Sequence, residues 1–332
     1  MRKTQSRKSL NIKDKEDLIY HQLRQNKFYQ QRLPAWRPVP TLCAIIIFYT
    51  IFSLIFIALG VVLIIFSNKI KEIEIKYNDK CKDYKGNDCT IDYEIPEDMD
   101  KPIFIYYKLY GFFQNNRRFM KSKSQKQLMG EKTTLDEMKS DEDCDPIYTN
   151  ADMGFKENPL EPLKSIDGTL LILNEVAIPC GIMAKAYFND TFKNWKINEK
   201  EITINEKNIA WDMDIKLFKN PDKSKQWIDI EDEHFIVWMR PAGLPDFRKL
   251  WGRIEDDDLK KGEKLSITIE NNYDVDKFSG DKSIILSTSN VFGGDNTFLG
   301  ICFVVVGGIS LLLGIGFIIN HFIQNKGKEK EK

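Results

Sequence analysis

The chain is poor in the groups that carry out covalent chemistry. Its 332 residues include three histidines, His21, His234 and His321, each in a different part of the sequence, and no two cysteines stand at the CxxC spacing of a zinc ligand pair. There is no GxSxG, no phosphate-binding Walker loop, no HExxH and no internal repeat. The acidic runs Asp141–Asp145 and Glu255–Asp258 lack the glycine and closing glutamate of a calcium loop and read as solvated loops. These absences exclude a recognisable hydrolase, NTPase, metalloprotease or zinc module. No catalytic residue, metal ligand or cofactor is assigned, and nucleic acid is not expected as a partner.

Charge is missing from two long stretches. Residues 41–67 (TLCAIIIFYTIFSLIFIALGVVLIIFS) and 297–323 (TFLGICFVVVGGISLLLGIGFIINHFI) each run 27 residues without Asp, Glu, Lys or Arg. At 1.5 Å per residue a helix of that length covers about 40 Å, against roughly 30 Å of bilayer hydrocarbon. A signal peptide does not fit, because 40 mostly polar residues come first and a signal core is only about 7–15 apolar residues long. The chain is therefore expected to be a membrane protein of two transmembrane helices, 41–67 and 297–323. Three further parts complete it: an N-terminal tail (1–40), a large middle segment (68–296) and a short C-terminal tail (324–332).

The charges present suggest an orientation. Residues 1–40 carry ten Lys/Arg against three Asp/Glu, and 324–332 carry four Lys against two Glu. The middle segment holds 35 basic and 44 acidic residues, a net of −9. Basic flanks favour the cytosol, so both tails are expected inside and the acidic segment outside or in a lumen. Cysteine usage agrees. Cys43 and Cys302 fall within the spans, while Cys81, Cys89, Cys144 and Cys180 fall in the segment exposed to oxidising conditions. Four cysteines allow three pairings, of which sequence proximity favours Cys81–Cys89 and Cys144–Cys180.

Along the chain, Leu18, Ile19, Leu23 and Phe28 give a weak helical pattern. QQRLPAWRPVP (30–40) follows, with three prolines that forbid a continuous helix. Within it Arg32, Leu33, Pro34 and Trp36 suit either an interfacial anchor or a docking segment for a partner. Residues 70–79 alternate, with Ile73 and Ile75 on one face, as in a half-buried strand. An aromatic strand from residue 101 leads to Asn115, Asn116, Arg117 and Arg118. These four either bind an anion or partner, or satisfy carbonyls and carboxylates of their own domain. Residues 131–165 read as loop. HFIVWMR (234–240), KLSITIE (264–270) and KSIILSTSN (282–290) read as strands, and PDFRKLWGRI (245–254) as a short helix. The middle segment is thus expected to be a mainly-β antiparallel sandwich with short helices and long loops. Asn189-Asp190-Thr191 is its N-x-[ST] tripeptide. In the second span Gly300, Gly307 and Gly314 recur every seven residues, a small-residue stripe that lets a helix approach, either the first span or a partner's.

Several segments in order resemble one family: QQRLPAWRPVP, FFQNNRRFMKSKSQKQLMG (112–130), IPCGIMAKAYFNDTF (178–192), VWMRPAGLPDFRKLWGRI (237–254) and ENNYDVDKFSGDKSIILSTSNVFGGDNTFLG (270–300). The chain is similar to the cell-division-cycle-fifty (Lem-three type) proteins, the non-catalytic β-subunits of type-IV P-type ATPases that flip phospholipids. The resemblance implies a heterodimer with a large ATPase that binds ATP and carries the lipid, and a role in assembly, exit from the endoplasmic reticulum and the transport cycle. Residence anywhere from that compartment through the Golgi and endosomes to the plasma membrane is compatible. It further implies disulfides Cys144–Cys180 and Cys81–Cys89, a glycan on Asn189, and partner contacts by the N-terminal segment, the spans and the extracytoplasmic domain. An additional bridge found in some relatives has no cysteines here. The final Lys328-Glu329-Lys330-Glu331-Lys332 resembles a K-x-K-x-x retrieval signal. A trimeric two-span ligand-gated channel shares this topology, but such channels are richer in ectodomain cysteines and line the pore with polar residues, which the second span lacks.

Overall fold

The computed structural model describes residues 20–33, 40–154, 163–289 and 293–330. These form two compact units, Leu59–Cys302 and the described parts of 1–58 with 303–332. Among the described residues, two helices are long and apolar enough to cross a membrane, Leu42–Ser67 and Thr297–Gln324, the second continuing to Lys330.

Among the described residues, eight strands lie between them. β1 (Glu72–Lys76), β8 (Asp281–Ser287), β3 (Ile103–Tyr110) and β6 (Phe247–Ile254) form one four-stranded sheet in that order. β2 (Asp88–Glu94), β7 (Lys264–Glu270), β4 (Thr191–Ile197) and β5 (Lys200–Glu201) form the other. All pairings are antiparallel. Period-two patterning builds the core. Ile73 and Ile75 of β1 point inward beside Leu286 and Ile284 of β8, while Ile103, Ile105, Tyr107 and Leu109 alternate inward along β3. Each fully buried aliphatic side chain contributes about 1.5–3 kcal/mol. Aromatic contacts bridge the sheets: Phe192 of β4 meets Trp251 of β6 edge-on at 4.8 Å, and Trp251 in turn meets Tyr107.

Two expectations are exchanged. Residues 234–240 are not a strand but a helix, Glu233–Met239, whose first turn is capped by Asp232 accepting from the His234 amide at 3.1 Å. Its buried positions, Phe235, Ile236, Trp238 and Met239, follow helical spacing. Residues 245–254 are not a helix, because Phe247–Ile254 is an edge strand. Lys249 faces inward on it, which breaks the polar alternation a strand normally displays, and a bulge opposite Ile105/Tyr106 shifts the register. The expected loop at 131–165 also contains a helix, Leu135–Asp141, with a Thr134/Glu137 capping box.

β1 and β8 are paired, so the chain enters and leaves the β-domain side by side. There Ser67 donates to Asp295, and the Asn296 amide donates to Ser67 Oγ at 2.8 Å. Hydrogen bonds from Ser67 and Thr297 hold the Asp295 carboxyl down at about 2.

The glycine stripe faces the first span. A Cβ on Gly300 would stand 2.7 Å from Ile64 Cγ1 and 3.1 Å from the Gly60 carbonyl. On Gly307 it would meet Ile57 Cγ1 at 2.7 Å and the Ile57 amide nitrogen at 3.0 Å, whereas on Gly314 the nearest atom is Tyr49 Cβ at 3.5 Å. Gly307→Ala is therefore expected to push the helices apart and cost about 1–3 kcal/mol, with Gly314→Ala nearly neutral. Thermal unfolding of the full chain in mild detergent checks the order, and equal effects at the two positions would refute it.

Candidate functional site

The centre of the β-domain is a buried ionic clamp between the sheets. Lys282 of β8 is 1% exposed, and its Nζ donates to Asp190 Oδ2 (2.7 Å), Asn271 Oδ1 (2.6 Å) and the Tyr273 carbonyl (2.6 Å). Asp190, 0% exposed and directly before β4, also accepts from Tyr77 Oη (2.7 Å) and from the amides of Asn272 (2.7 Å) and Tyr273 (2.6 Å). All three ammonium protons and both carboxylate oxygens are thus engaged, the condition under which a buried pair is tolerable. Burial draws the Lys282 pKa down against the opposing pull of Asp190, and burial together with the Asp190 charge pushes Tyr77 well up. No local pattern in the sequence announces this clamp.

Asp190 is the middle residue of the Asn189-Asp190-Thr191 tripeptide. Asn189 is exposed, while Thr191 opens β4 and its hydroxyl donates to Glu270 at 3.0 Å.

Both disulfides are present. Cys81–Cys89 closes a turn beside the clamp, with the Cys81 carbonyl accepting from Asn271 Nδ2 at 2.7 Å. Cys144–Cys180 organises a small separate core with Met138, Met153 and Ala177. Buried Gln127 fastens that core through the Cys180 amide (2.9 Å) and the Ala177 carbonyl (3.2 Å). Gly181, at φ +99°, passes so close to Ser122 that a Cβ would stand 2.2 Å from its carbonyl oxygen, so only glycine fits.

The Asn115–Arg118 cluster divides by residue type. Asn115 Nδ2 donates to the Gly243 carbonyl at 3.0 Å, and Asn116 caps the helix Arg117–Lys121 by accepting from the Arg118 amide at 2.9 Å. Asn115 thus ties the segment after β3 to the turn before β6, while Asn116 acts only on the helix that follows it. The arginines point outward. Arg118 is 79% exposed and lies 3.9 Å from Asp145, and Arg117 makes no ion pair among the described residues.

Lys249 closes the other end of the helix Glu233–Met239. Its Nζ donates to the carbonyls of Val237 (2.9 Å), Trp238 (3.2 Å) and Arg240, groups that the helix itself leaves open. Burial and the neighbouring Arg240 pull its pKa down to about 7.

Arg32 and Leu33 are exposed, the Arg32 amide donating to the Lys27 carbonyl at 2.8 Å. Pro34 and Trp36, Leu18 and Ile19, and the end of the C-terminal lysine pattern lie outside the described residues. Of the expected partner-binding residues, the three glycines meet the chain's own first span, the two asparagines hold the β-domain, and Arg32, Leu33, Arg117 and Arg118 face outward.

With this geometry in view, comparison with known proteins gives a consistent result. The profile of the LEM3 (ligand-effect modulator 3) family / CDC50 family matches residues 63–327. The chain is 34% identical over 307 residues to "ALA-interacting subunit 3" of Arabidopsis thaliana, covering 84% of this chain and 80% of that one. It is 34% identical over 325 residues to "Cell cycle control protein 50A" of Mus musculus, covering 83% and 82%. Against "Cell cycle control protein 50C" of Bos taurus it is 30% identical over 322 residues, covering 82% and 86%.

Proposed function

This chain belongs to the LEM3/CDC50 family, and we propose that it is the accessory, non-catalytic subunit of a type-IV P-type ATPase that moves phospholipid towards the cytosolic leaflet. The observation that carries the reading is the family match, which runs from within the first span, through the whole β-domain, into the end of the last helix. A relative whose name is that of an interacting subunit supports the accessory role. The architecture supports it as well. Both spans leave large apolar side chains exposed, Phe298, Leu312 and Leu54 among them, which suits contact with lipid and with the helices of a larger partner.

In this reading both tails are cytosolic and the β-domain lies in a lumen or outside. Asn189 carries a glycan. Arg32, Leu33, Pro34 and Trp36 dock on the cytosolic side, and Arg117 and Arg118 meet the partner on the other. The subunit is needed for the ATPase to assemble, leave the endoplasmic reticulum and cycle. Affinity purification of the tagged full chain in mild detergent, with mass spectrometry of what accompanies it, is the test. A stoichiometric lipid-transporting P-type ATPase is the expected result. A homotrimer with no ATPase would overturn the proposal and favour a channel.

A further inference from the structure

The stretch before the first span is ordered by its own hydrogen bonds and buries none of its aromatic surface. Residues 20–25 are helical, and 27–31 form a turn. The Asn26 amide donates to the Gln22 carbonyl at 3.0 Å, and the Arg32 amide closes the turn on the Lys27 carbonyl at 2.8 Å. Side chains reinforce both: Asn26 Oδ1 accepts from the Phe28 amide at 2.9 Å, and Gln30 Nε2 donates to the Leu23 carbonyl at 3.3 Å. Among the described residues every member of this stretch is nonetheless exposed, Tyr20 at 68%, Phe28 at 66% and Tyr29 at 63%. Ordering a turn costs chain entropy that local hydrogen bonds return only in part, so these rings call for a surface outside the chain.

Placement and charge name that surface. Tyr20, Leu23 and Arg24 stand at i, i+3 and i+4, so apolar and cationic groups share one side of the helical turn, with His21, Gln22 and Gln25 on the other. Residues 20–29 hold Arg24 and Lys27 and no Asp or Glu. Only residues 34–41 separate Leu33 from Leu42, where the first span opens, a reach of at most about 30 Å. The stretch is thus tethered beside the bilayer at that end of the span, and the cytosolic leaflet is the one that carries anionic lipid. Aromatic side chains settle at headgroup depth, and basic ones there meet lipid phosphate.

We propose that Tyr20–Tyr29 lies on the anionic surface of the bilayer that the chain itself spans. Tyr20, Leu23, Phe28 and Tyr29 enter the headgroup layer, and Arg24 and Lys27 meet the anionic headgroups. Arg32, Leu33 and the residues after them remain the docking segment described above. An anchored stretch holds that segment at membrane level before a partner arrives, which lowers the entropy cost of the later contact. The proposal rests on Leu42–Ser67 crossing a bilayer with its start in the cytosol, and not on the identity of the partner.

The test uses the full chain without ATPase in nanodiscs, of phosphatidylcholine alone or of phosphatidylcholine with phosphatidylserine. Peptide-resolved hydrogen exchange is expected to show the amides of 20–32 exchanging tenfold or more slowly in the serine-lipid discs. The difference is expected to shrink as salt rises, because screening weakens the attraction. Phe28→Ser with Tyr29→Ser, and separately Arg24→Gln with Lys27→Gln, are expected to abolish it, whereas Gln25→Ser on the polar side is expected to retain it. All these side chains are exposed, and unchanged exchange in the β-domain verifies that the variants fold. Equal exchange of wild type in the two kinds of disc would overturn the proposal, as would slowing that both double variants keep. Slowing that appears only once the ATPase is added would overturn it too and make the partner the occupant. Purification that recovers no ATPase would count against the accessory-subunit reading while leaving the lipid dependence to be read as before.

Discussion

Lys282→Met is expected to destabilise the β-domain by about 3–5 kcal/mol, the usual cost of leaving a buried charge without its partner. The variant strands the Asp190 carboxylate in a site with 0% exposure and leaves the Asn271 and Tyr273 oxygens without their donor. Most single substitutions cost far less, so a loss of this size is a sharp expectation. Asp190→Asn combined with Lys282→Met is expected to recover much of the loss, because it neutralises the orphaned carboxylate. It also preserves the Asn-x-Thr tripeptide, so any glycan on Asn189 does not confound the comparison. The measurement is the urea midpoint for loss of protease resistance in the detergent-solubilised full chain, set out as a double-mutant cycle. A single variant within about 1 kcal/mol of wild type would mean that the sheets are held by their apolar faces alone.

The second large effect concerns the disulfides, whose order of importance follows from the chain they enclose. Cys144–Cys180 spans a separation of 36 residues and Cys81–Cys89 one of 8. On loop-closure entropy the longer bridge contributes about 4 kcal/mol and the shorter about 2.5 kcal/mol. The packing sharpens the contrast. The longer bridge supplies two of the five buried residues in its own small core, whereas the shorter lies within the main core. Replacing Cys144 and Cys180 together by serine is expected to loosen the helix Leu135–Asp141 and the turn around Met153 before the sandwich melts. Peptide-resolved hydrogen exchange would show accelerated exchange confined to those segments. A larger loss from replacing Cys81 and Cys89 would sink the argument.

What could be read from the residues alone follows a physical division. The two spans were legible because 27 residues without charge have few alternatives. The mainly-β class was legible because β1, β3 and β7 alternate cleanly, as a sheet with one face in the core must. The cysteine pairs were legible because short separations are the cheapest to close. The exchange of 234–240 and 245–254 shows where local pattern fails. HFIVWMR is rich in strand formers but is started as a helix by Asp232, and Phe247–Ile254 hides its alternation behind Lys249, whose charge is satisfied by carbonyls of the helix before it. A readable signal was also missed, the Thr134/Glu137 capping box. The clamp was out of reach for another reason. Asp190 meets partners 113 residues before it and 92 after it, which no window of sequence contains.

That separation has a consequence in time. When Asp190 leaves the ribosome, Tyr77 already exists, but Lys282 is still 92 residues away, and Glu270, which fastens Thr191, is 79 away. At about 5–20 residues per second, the clamp and its flanking strand wait roughly 5–20 s for their last members. During that interval Asn189-Asp190-Thr191 is an open stretch of chain. Once β7 and β8 dock, the aspartate is sealed and the threonine is fixed in a ladder. An enzyme that must draw such a tripeptide into its own groove therefore has a nascent substrate and no mature one. Chains halted just short of Lys282 should accept modification at Asn189 that the completed, folded protein refuses.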